Sequence, residues 1–362
     1  MLALQAVTPE HLSSAIGIPI TEARKVIAQV HRGEPVRPTS AVRRQTAEAV
    51  RAAGEVPALR VVEETPSAID PFVKYLVEAP DGARFETVRI PLEAAGRFTA
   101  CVSSQVGCAL ACAFCATGRM GLSRNLDAWE IVEQVRIVRA ALPEGRVHGV
   151  VFQGMGEPMA NLDSVLAAIA VLTEPCALGI DARAITVCTS GLPGGIVRLA
   201  KEQPNVRLGI SIGSAIAERR RPLMPITKAH SLDDVLAAAE EHARLTGLSP
   251  MWAVTLLAGV NDSDDDARAL ADRARAFETA TGRRPRLSII PYNPLPPPRS
   301  GGIEKEEVGE ADDTFARSPR ESEFRAALGL PSHRRYSGGS DVGAACGQLV
   351  AHASGARHRG RP

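Results

Sequence analysis

Residues 97 to 294 predict an α/β protein built on a parallel sheet, on three observations. Six short β-branched runs recur, "RFTACVS", "HGVVFQG", "AITVCTSG", "VRLGISIG", "MWAVTLLAG" and "RLSIIPYNP". Each opens into a Gly-rich or polar turn, and between the runs lie helix-length segments whose apolar residues return at three- and four-residue steps. Strands that alternate with helices at this spacing pair in parallel, because each crossover brings the chain back to the same end of the sheet. Six such units make either a doubly wound sheet or a partial barrel, and periodicity alone does not choose between them. In both, the active site belongs on the loops at the carboxyl ends of the strands.

The elements can be justified in order. "LSSAIGIPITEARKVIAQVHRG" and "TSAVRRQTAEAVRAAG" read as small helices, and "VKYLVEAPDGARFETVRIP" as a hairpin through the turn Pro80–Asp81–Gly82. Residues 1–80 are therefore expected to form a small accessory domain. The helices "LDAWEIVEQVRIVRAAL", "NLDSVLAAIAVLTE", "GGIVRLAKE", "SLDDVLAAAEEHARLTG" and "DSDDDARALADRARAFETATG" separate the strands, most of them with Asp, Asn or Ser at their starts as caps. The post-strand loops then carry, on one rim, a cysteine cluster, "GMGEP", "CTSG", "SIGSA" and "PYNP". "PLPPPRSGGIEKEEVGEADDTF", rich in proline, glycine and charge, is expected to be a mobile loop.

Composition narrows the class. The chain has 362 residues with 42 Lys and Arg against 41 Asp and Glu, no signal-peptide pattern and no apolar run near the roughly 18 residues of a membrane span. A cytoplasmic protein with no membrane partner is expected; a monomer is expected as well. The near-neutral balance is not that of a dedicated nucleic-acid binder. Arginines nevertheless gather in the first sixty residues (Arg43 and Arg44 among them), in Arg219–Arg220–Arg221, in Arg334–Arg335 and in the tail "HASGARHRGRP". These clusters read either as solvated surface or as groups that track RNA phosphates. Seven cysteines, odd in number and clustered, do not make a secreted disulfide framework.

In "GCALACAFCATGRMG", Cys108, Cys112 and Cys115 form a C-x3-C-x2-C pattern directly after the first strand. Three thiols this close can hold zinc, hold an iron–sulfur cluster, or be small buried hydrophobes. Buried hydrophobes need no particular loop. Structural zinc prefers four closed ligands and paired knuckles, and no second knuckle exists here. A cubane held by three thiolates keeps one iron open, which suits soft sulfur ligands.

With its surroundings, "CVSSQVGCALACAFCATGRMGLSRNL", "GMGEPMAN", "TSG", "LMPI", "GVND", "IPYNP" and "DVGAACGQL", the pattern resembles the RlmN/Cfr family of radical S-adenosylmethionine RNA adenine methyltransferases from about Glu86 to Leu349. The resemblance implies a partial (βα)6 barrel of the radical SAM type over residues 94–335. It implies a connector at 81–93 carrying Glu86, and a C-terminal segment at 336–362 carrying Cys346. It implies one [4Fe-4S] cluster on Cys108, Cys112 and Cys115, and two equivalents of S-adenosylmethionine per turnover. Methylation falls on C2 or C8 of an adenine in 23S rRNA, with tRNA as a second substrate and a flavodoxin or ferredoxin as electron donor. The resemblance also assigns roles. Cys346 takes a methyl group as S-methylcysteine, Glu86 accepts the ring proton, and Cys101 releases the product by forming a disulfide with Cys346. Gly156, Glu157, Cys188, Ser190, Ser211, Ile212, Gly213 and Asn293 match cofactor-contact positions.

The chemistry makes these parts intelligible. An amidine carbon of adenine has no nucleophilic lone pair to attack a sulfonium methyl, so a radical route is required. The sequence also departs from the family pattern. Ser211–Ile212–Gly213 stands where Ser-Leu-His is usual, Cys188 where Ser is usual, the aromatic "KWMY"-like stretch is missing, and the loop after Asn293 is longer. Two other readings remain open on the residues alone, a radical enzyme acting on a non-RNA substrate and a non-catalytic RNA-binding protein with structural zinc.

Overall fold

The computed structural model describes residues 1–295 and 315–350. The proline-rich run 296–314, read above as a mobile loop, and the basic tail lie outside the described residues. Helix α1 (Pro9–Ile16) starts where Thr8 caps the amide of His11 and Pro9 presets the first turn, and it stops at Gly17 in the left-handed region. Helices α2 (Ile20–His31) and α3 (Arg44–Ala53) complete the group, with β1 (Leu2–Ala3) paired to β2 (Gly54–Glu55). Their facing residues Leu12, Val26, Ile27, Val30, Ala47 and Val50 form a separate apolar cluster.

The arginines of this region are largely engaged at home. Arg43 pairs with Glu22 at 2.7 Å, Arg44 with Glu48 at 2.9 Å, and Arg32 with Glu34 at 2.6 Å. Glu22 also accepts the Arg43 amide, and hydrogen bonds from Thr46 and Arg43 hold its carboxyl below the usual range. The Arg43 and Arg44 side chains nevertheless remain largely exposed, 65% and 85%, so these surface pairs leave both readings of the cluster in place.

From Arg60 the chain builds one ten-stranded sheet. β3 (Arg60–Pro66), β4 (Val73–Glu78), β5 (Arg84–Pro91) and β6 (Arg97–Val102) are antiparallel neighbours. A small hairpin of β7 (Gln105–Cys108) and β8 (Gly121–Asn125) then encloses the cysteine loop and the short helix α4 (Ala116–Arg119). The parallel part runs α5 (Ala128–Ala140), β9 (Arg146–Phe152), α6 (Leu162–Thr173), β10 (Ile185–Thr189), α7 (Pro193–Glu202), β11 (Arg207–Ser211), α8 (Ala217–Leu223), α9 (Leu232–Thr246), β12 (Met251–Leu256), α10 (Asp264–Thr281), β13 (Arg286–Pro291), α11 (Glu321–Leu328) and β14 (Ser332–Arg334).

The six expected parallel strands are β6 and β9 to β13, and they lie in the order β6, β9, β10, β11, β12, β13, with β14 added at the edge. A doubly wound sheet reverses its strand order at a switch point. Here the order is sequential throughout, so right-handed crossovers put the helices on one face and the sheet curls toward a barrel without closing. Its core holds Val150, Phe152, Val187, Ile210 and Trp252, the last meeting Phe277 of α10 edge-on at 5.3 Å. Capping boxes at Asp127, Ser231 and Ser263 fix the starts of α5, α9 and α10.

The division of the cores differs from a boundary at residue 80. The apolar cluster of the helical group ends at Val50, whereas the hairpin strands β4 and β5, with β3, extend the main sheet. Buried Val73, Tyr75, Val77 and Phe85 join the main core, which is why these strands side with it. No helix of the described residues is long and apolar enough to cross a membrane.

Candidate active site

At the carboxyl ends of the strands lies a cavity of about 190 Å³. It is lined by Cys108, Cys112 and Cys115, by Gly156, Glu157, Cys188, Ser190, Ser211 and Gly213, and by Cys101 and Cys346. Six of the seven cysteines thus converge. The seventh, Cys176, packs against the N-terminal helical cluster.

The cysteine loop is shaped by its backbone. Ala111 is, among the described residues, the one non-glycine with positive φ (51°), and this left-handed residue turns the loop between Cys108 and Cys112. Burial pushes the Cys108 thiol up to about 11 and the Cys112 thiol up to about 12, and the neighbouring thiols add to both shifts. Burial likewise raises Cys115.

Gly156, with φ +98°, lets the next strand end press against Gln105, since a Cβ there would sit 2.5 Å from that side chain. Gln105 Oε1 in turn accepts the Glu157 amide at 2.8 Å. The Glu157 carboxylate is buried, accepting the amides of Met159 at 3.0 Å and Ser190 at 2.8 Å, and burial raises its pKa against those bonds. Ser190 Oγ stands 3.9 Å from Cys112 Sγ. Glu157 therefore joins two strand ends and lines the cavity beside the cysteine loop.

Cys346 is brought in from the far end of the chain. The Ala116 amide donates to Gly347 O at 2.7 Å and Thr117 Oγ1 to Leu349 O at 2.7 Å, so the Cys346 turn is stitched onto the cysteine loop. Gln348 spans from Ala345 N to Pro294 O, and Asn293 Nδ2 donates to Cys346 O at 3.3 Å. This is the physical use of the "AACGQL" motif: small residues allow the close approach and the glutamine staples it.

Cys101 on β6 and Cys188 on β10 are both buried, and burial pushes each thiol to about 12. Both thiols feel Cys346 and the guanidinium of Arg335.

Three site residues read from the sequence do not line the cavity. Ile212 is a core side chain whose carbonyl accepts from Arg220 at 3.0 Å, and Asn293 acts through the Cys346 turn. Glu86 is fully buried, 3.0 Å from Lys74 Nζ, and accepts the Val350 amide at 2.9 Å.

Residues 102–274 match the Radical SAM superfamily. A relative in Sorangium cellulosum (strain So ce56), named "Probable RNA methyltransferase", is 57% identical over 97% of this chain and 93% of its own length. A "Probable dual-specificity RNA methyltransferase RlmN" of Moorella thermoacetica is 35% identical over 94% of both chains. The chain belongs to the RlmN family of radical SAM RNA methyltransferases. The crystal structure of a radical SAM methyltransferase from Sphaerobacter thermophilus superimposes with a TM-score of 0.81 at 32% identity, covering 97% of this chain and 100% of the other.

The donor set fits the family's cluster. Burial raises all three thiols of the loop, and Cys115 adds to the shifts of Cys108 and Cys112, so deprotonation of this donor set is favoured by a bound cationic centre. Among the described residues no three His, Cys, Asp or Glu side chains gather closely enough for a single metal ion.

Two arginines of this RlmN-type site escaped the sequence reading. Arg220, read as part of a surface cluster, is fully buried and holds the carbonyls of Ser190 and Ile212 at 3.0 Å each, locking two strand ends together. Arg335 lines the cavity beside Cys101, Cys188 and Cys346; burial lowers its pKa, and the three sulfurs more than offset this. Arg335 directly follows β14, whereas Arg220 lies within α8, and the sequence around neither marks it as buried.

Gly213, where the family usually carries histidine, also has a structural account. Its φ is +69°, and a Cβ would stand 2.5 Å from Met224 Sδ, so Met224 fills the space a side chain would need. Gly213→Ala is expected to lower stability by about 1–2 kcal/mol through the left-handed backbone alone. A thermal melt checks this, and shaving Met224 to Ala in the same chain should not restore the loss.

Proposed function

We propose that this protein methylates a ring carbon, C2 or C8, of an adenine in 23S rRNA and also in tRNA, through an S-methylcysteine on Cys346. The observation that carries the reading is the convergence of Cys346 and Cys101, 245 positions apart in the chain, in one cavity with Cys108, Cys112 and Cys115. A radical enzyme that did not carry its methyl group on the protein would have no use for the stitched Cys346 turn.

The residues divide the work as follows. Cys108, Cys112 and Cys115 hold the cluster, and Glu157, with Gly156 behind it, receives the ammonium of S-adenosylmethionine. When bound, the reduced cluster supplies the electron that cleaves the cofactor homolytically. Cys188, Ser190, Ser211 and Gly213 line the remaining cofactor space, while Ile212 and Asn293 shape it through backbone contacts. Cys346 would accept the methyl group by displacement, S-adenosylhomocysteine leaving; one methyl hydrogen would then be lost to the 5′-deoxyadenosyl radical from a second cofactor, and the remaining carbon would bond to the base. Cys101, as thiolate, would attack the Cys346 sulfur; the sulfur–carbon bond breaks with its electron pair on the carbon, which takes up a proton to become the methyl group, and a thiol reductant then reopens the Cys101–Cys346 disulfide. Arg335 supplies positive charge next to both sulfurs. Glu86 serves as proton acceptor once the segment at Val350 releases it. A cytoplasmic, monomeric enzyme supplied with electrons by a flavodoxin or ferredoxin suits this assignment.

The test is methylation of unmodified 23S rRNA and tRNA transcripts by anaerobically reconstituted protein, with the product nucleosides resolved by mass spectrometry. A methyladenosine with the new carbon on the ring is expected. Methylation of neither RNA under conditions where the protein consumes S-adenosylmethionine sinks the reading.

A further inference from the structure

Tyr336 stands at the rim of the cavity, 68% exposed. A large aromatic ring left in solvent beside a reaction chamber asks for an explanation, and its surroundings show that it is held there. Its hydroxyl donates to Asp70 Oδ2 at 2.9 Å, and the same oxygen accepts the Gly339 amide at 2.8 Å. Asp341 accepts Ser67 Oγ at 2.7 Å and the Ala68 amide at 2.8 Å, tying the two loops a second time. The ring meets Phe72 edge-on, with centroids 6.0 Å apart at 61°. One edge of the ring is thus packed and its tip anchored, so the tyrosine is ordered in advance and a ligand that stacks on it loses little further side-chain freedom.

An adenine whose ring carbon is to meet Cys346 must leave its stack, because ring carbons inside a helix are covered by neighbouring bases. Extrusion uncovers one face of the flanking base, and an aromatic side chain can replace the lost neighbour. We propose that Tyr336 is the stacking platform for the nucleotide next to the extruded adenine. This rests on the RNA reading above. It makes Tyr336 a positioning residue, tolerant of base identity since every base offers a π-face.

The experiment compares wild type with Tyr336→Ala, Tyr336→Phe and Tyr336→Trp on whichever transcript, 23S rRNA or tRNA, the wild type methylates. Tyr336→Ala is expected to raise KM for RNA roughly 5- to 100-fold with a much smaller change in kcat, the range that loss of one base–aromatic stack produces. Phe and Trp should stay near the wild-type KM, although neither keeps the hydroxyl bond to Asp70. An unchanged KM in the Ala variant overturns the proposal, and so does a Phe variant as impaired as Ala, which would assign the residue to loop anchoring. Should the variants fail to fold, ultraviolet crosslinking of the wild-type protein to the same transcript decides. A nucleotide adduct on the peptide carrying Tyr336 is expected, and adducts confined to other peptides count against it. Wild-type protein that methylates neither RNA removes the functional reading and the platform with it, whereas wild-type methylation with Tyr336→Ala unaffected removes the platform alone.

Discussion

Cys346→Ala is expected to take no methyl group from labelled S-adenosylmethionine and to capture no RNA, whereas Cys101→Ala is expected to take the methyl group and then stall as protein covalently joined to RNA. The two thiols line one cavity, yet their positions differ. Cys346 sits on the partly exposed turn stitched to the cysteine loop, where it can meet cofactor and base. Cys101 lies within β6, opposite Val88 of β5, and burial keeps it protonated up to about 12. A thiol so buried is shielded from the cofactor's methyl group, and it must lose its proton before it attacks the Cys346 sulfur. Turnover should fall by at least about a thousandfold in either variant, since each removes a covalent participant. A denaturing gel with labelled RNA separates them: a shifted, denaturant-stable band is expected for Cys101→Ala only. Cys176, away from the cavity against the N-terminal helices, is the control, and its serine variant should turn over like wild type. Wild-type turnover by Cys101→Ala, or any RNA methylation by Cys346→Ala, would overturn the two-thiol mechanism.

Replacement of Cys108, Cys112 or Cys115 by Ala is expected to abolish the visible absorption of the reconstituted protein and reductive cleavage of S-adenosylmethionine together. Each thiol has its own place on the loop, and a cluster that must leave one site open for the cofactor cannot lose a second ligand and remain intact. The variants should still fold, because the sheet core of Val150, Val187, Ile210 and Trp252 does not depend on the loop. Far-ultraviolet circular dichroism unchanged beside lost absorbance would show that separation. Zinc without acid-labile sulfide in anaerobic wild-type protein would instead replace the radical chemistry with a structural metal.

Much of this could be read from the residues in order. The β-branched runs such as "AITVCTSG", and the three- and four-residue steps between them, pointed to six parallel strands and the helices that return them. The spacing of Cys108, Cys112 and Cys115 marked a metal-binding loop, because ligand chemistry is local, and the resemblance of its surroundings pointed to an iron–sulfur cluster. The "AACGQL" segment pointed to Cys346, since it resembles a family in which that cysteine carries the methyl group.

What the tertiary structure decided concerns contacts between segments far apart in the chain. Strand order made the sheet a curled, singly wound one and gave β3 to β5 to the main sheet, because pairing depends on which edges meet and periodicity does not record that. Arg220 and Arg335 look alike in sequence to any surface arginine. One is buried under two strand-end carbonyls and the other beside three sulfurs, and these surroundings come from chain segments far from each arginine. Arg43 and Arg44 look equally basic and are paired within their own helical group. Burial and partnership are properties of the folded neighbourhood: a side chain's charge is written in the sequence, but the groups that neutralise it, desolvate it or leave it available arrive only when distant segments pack together.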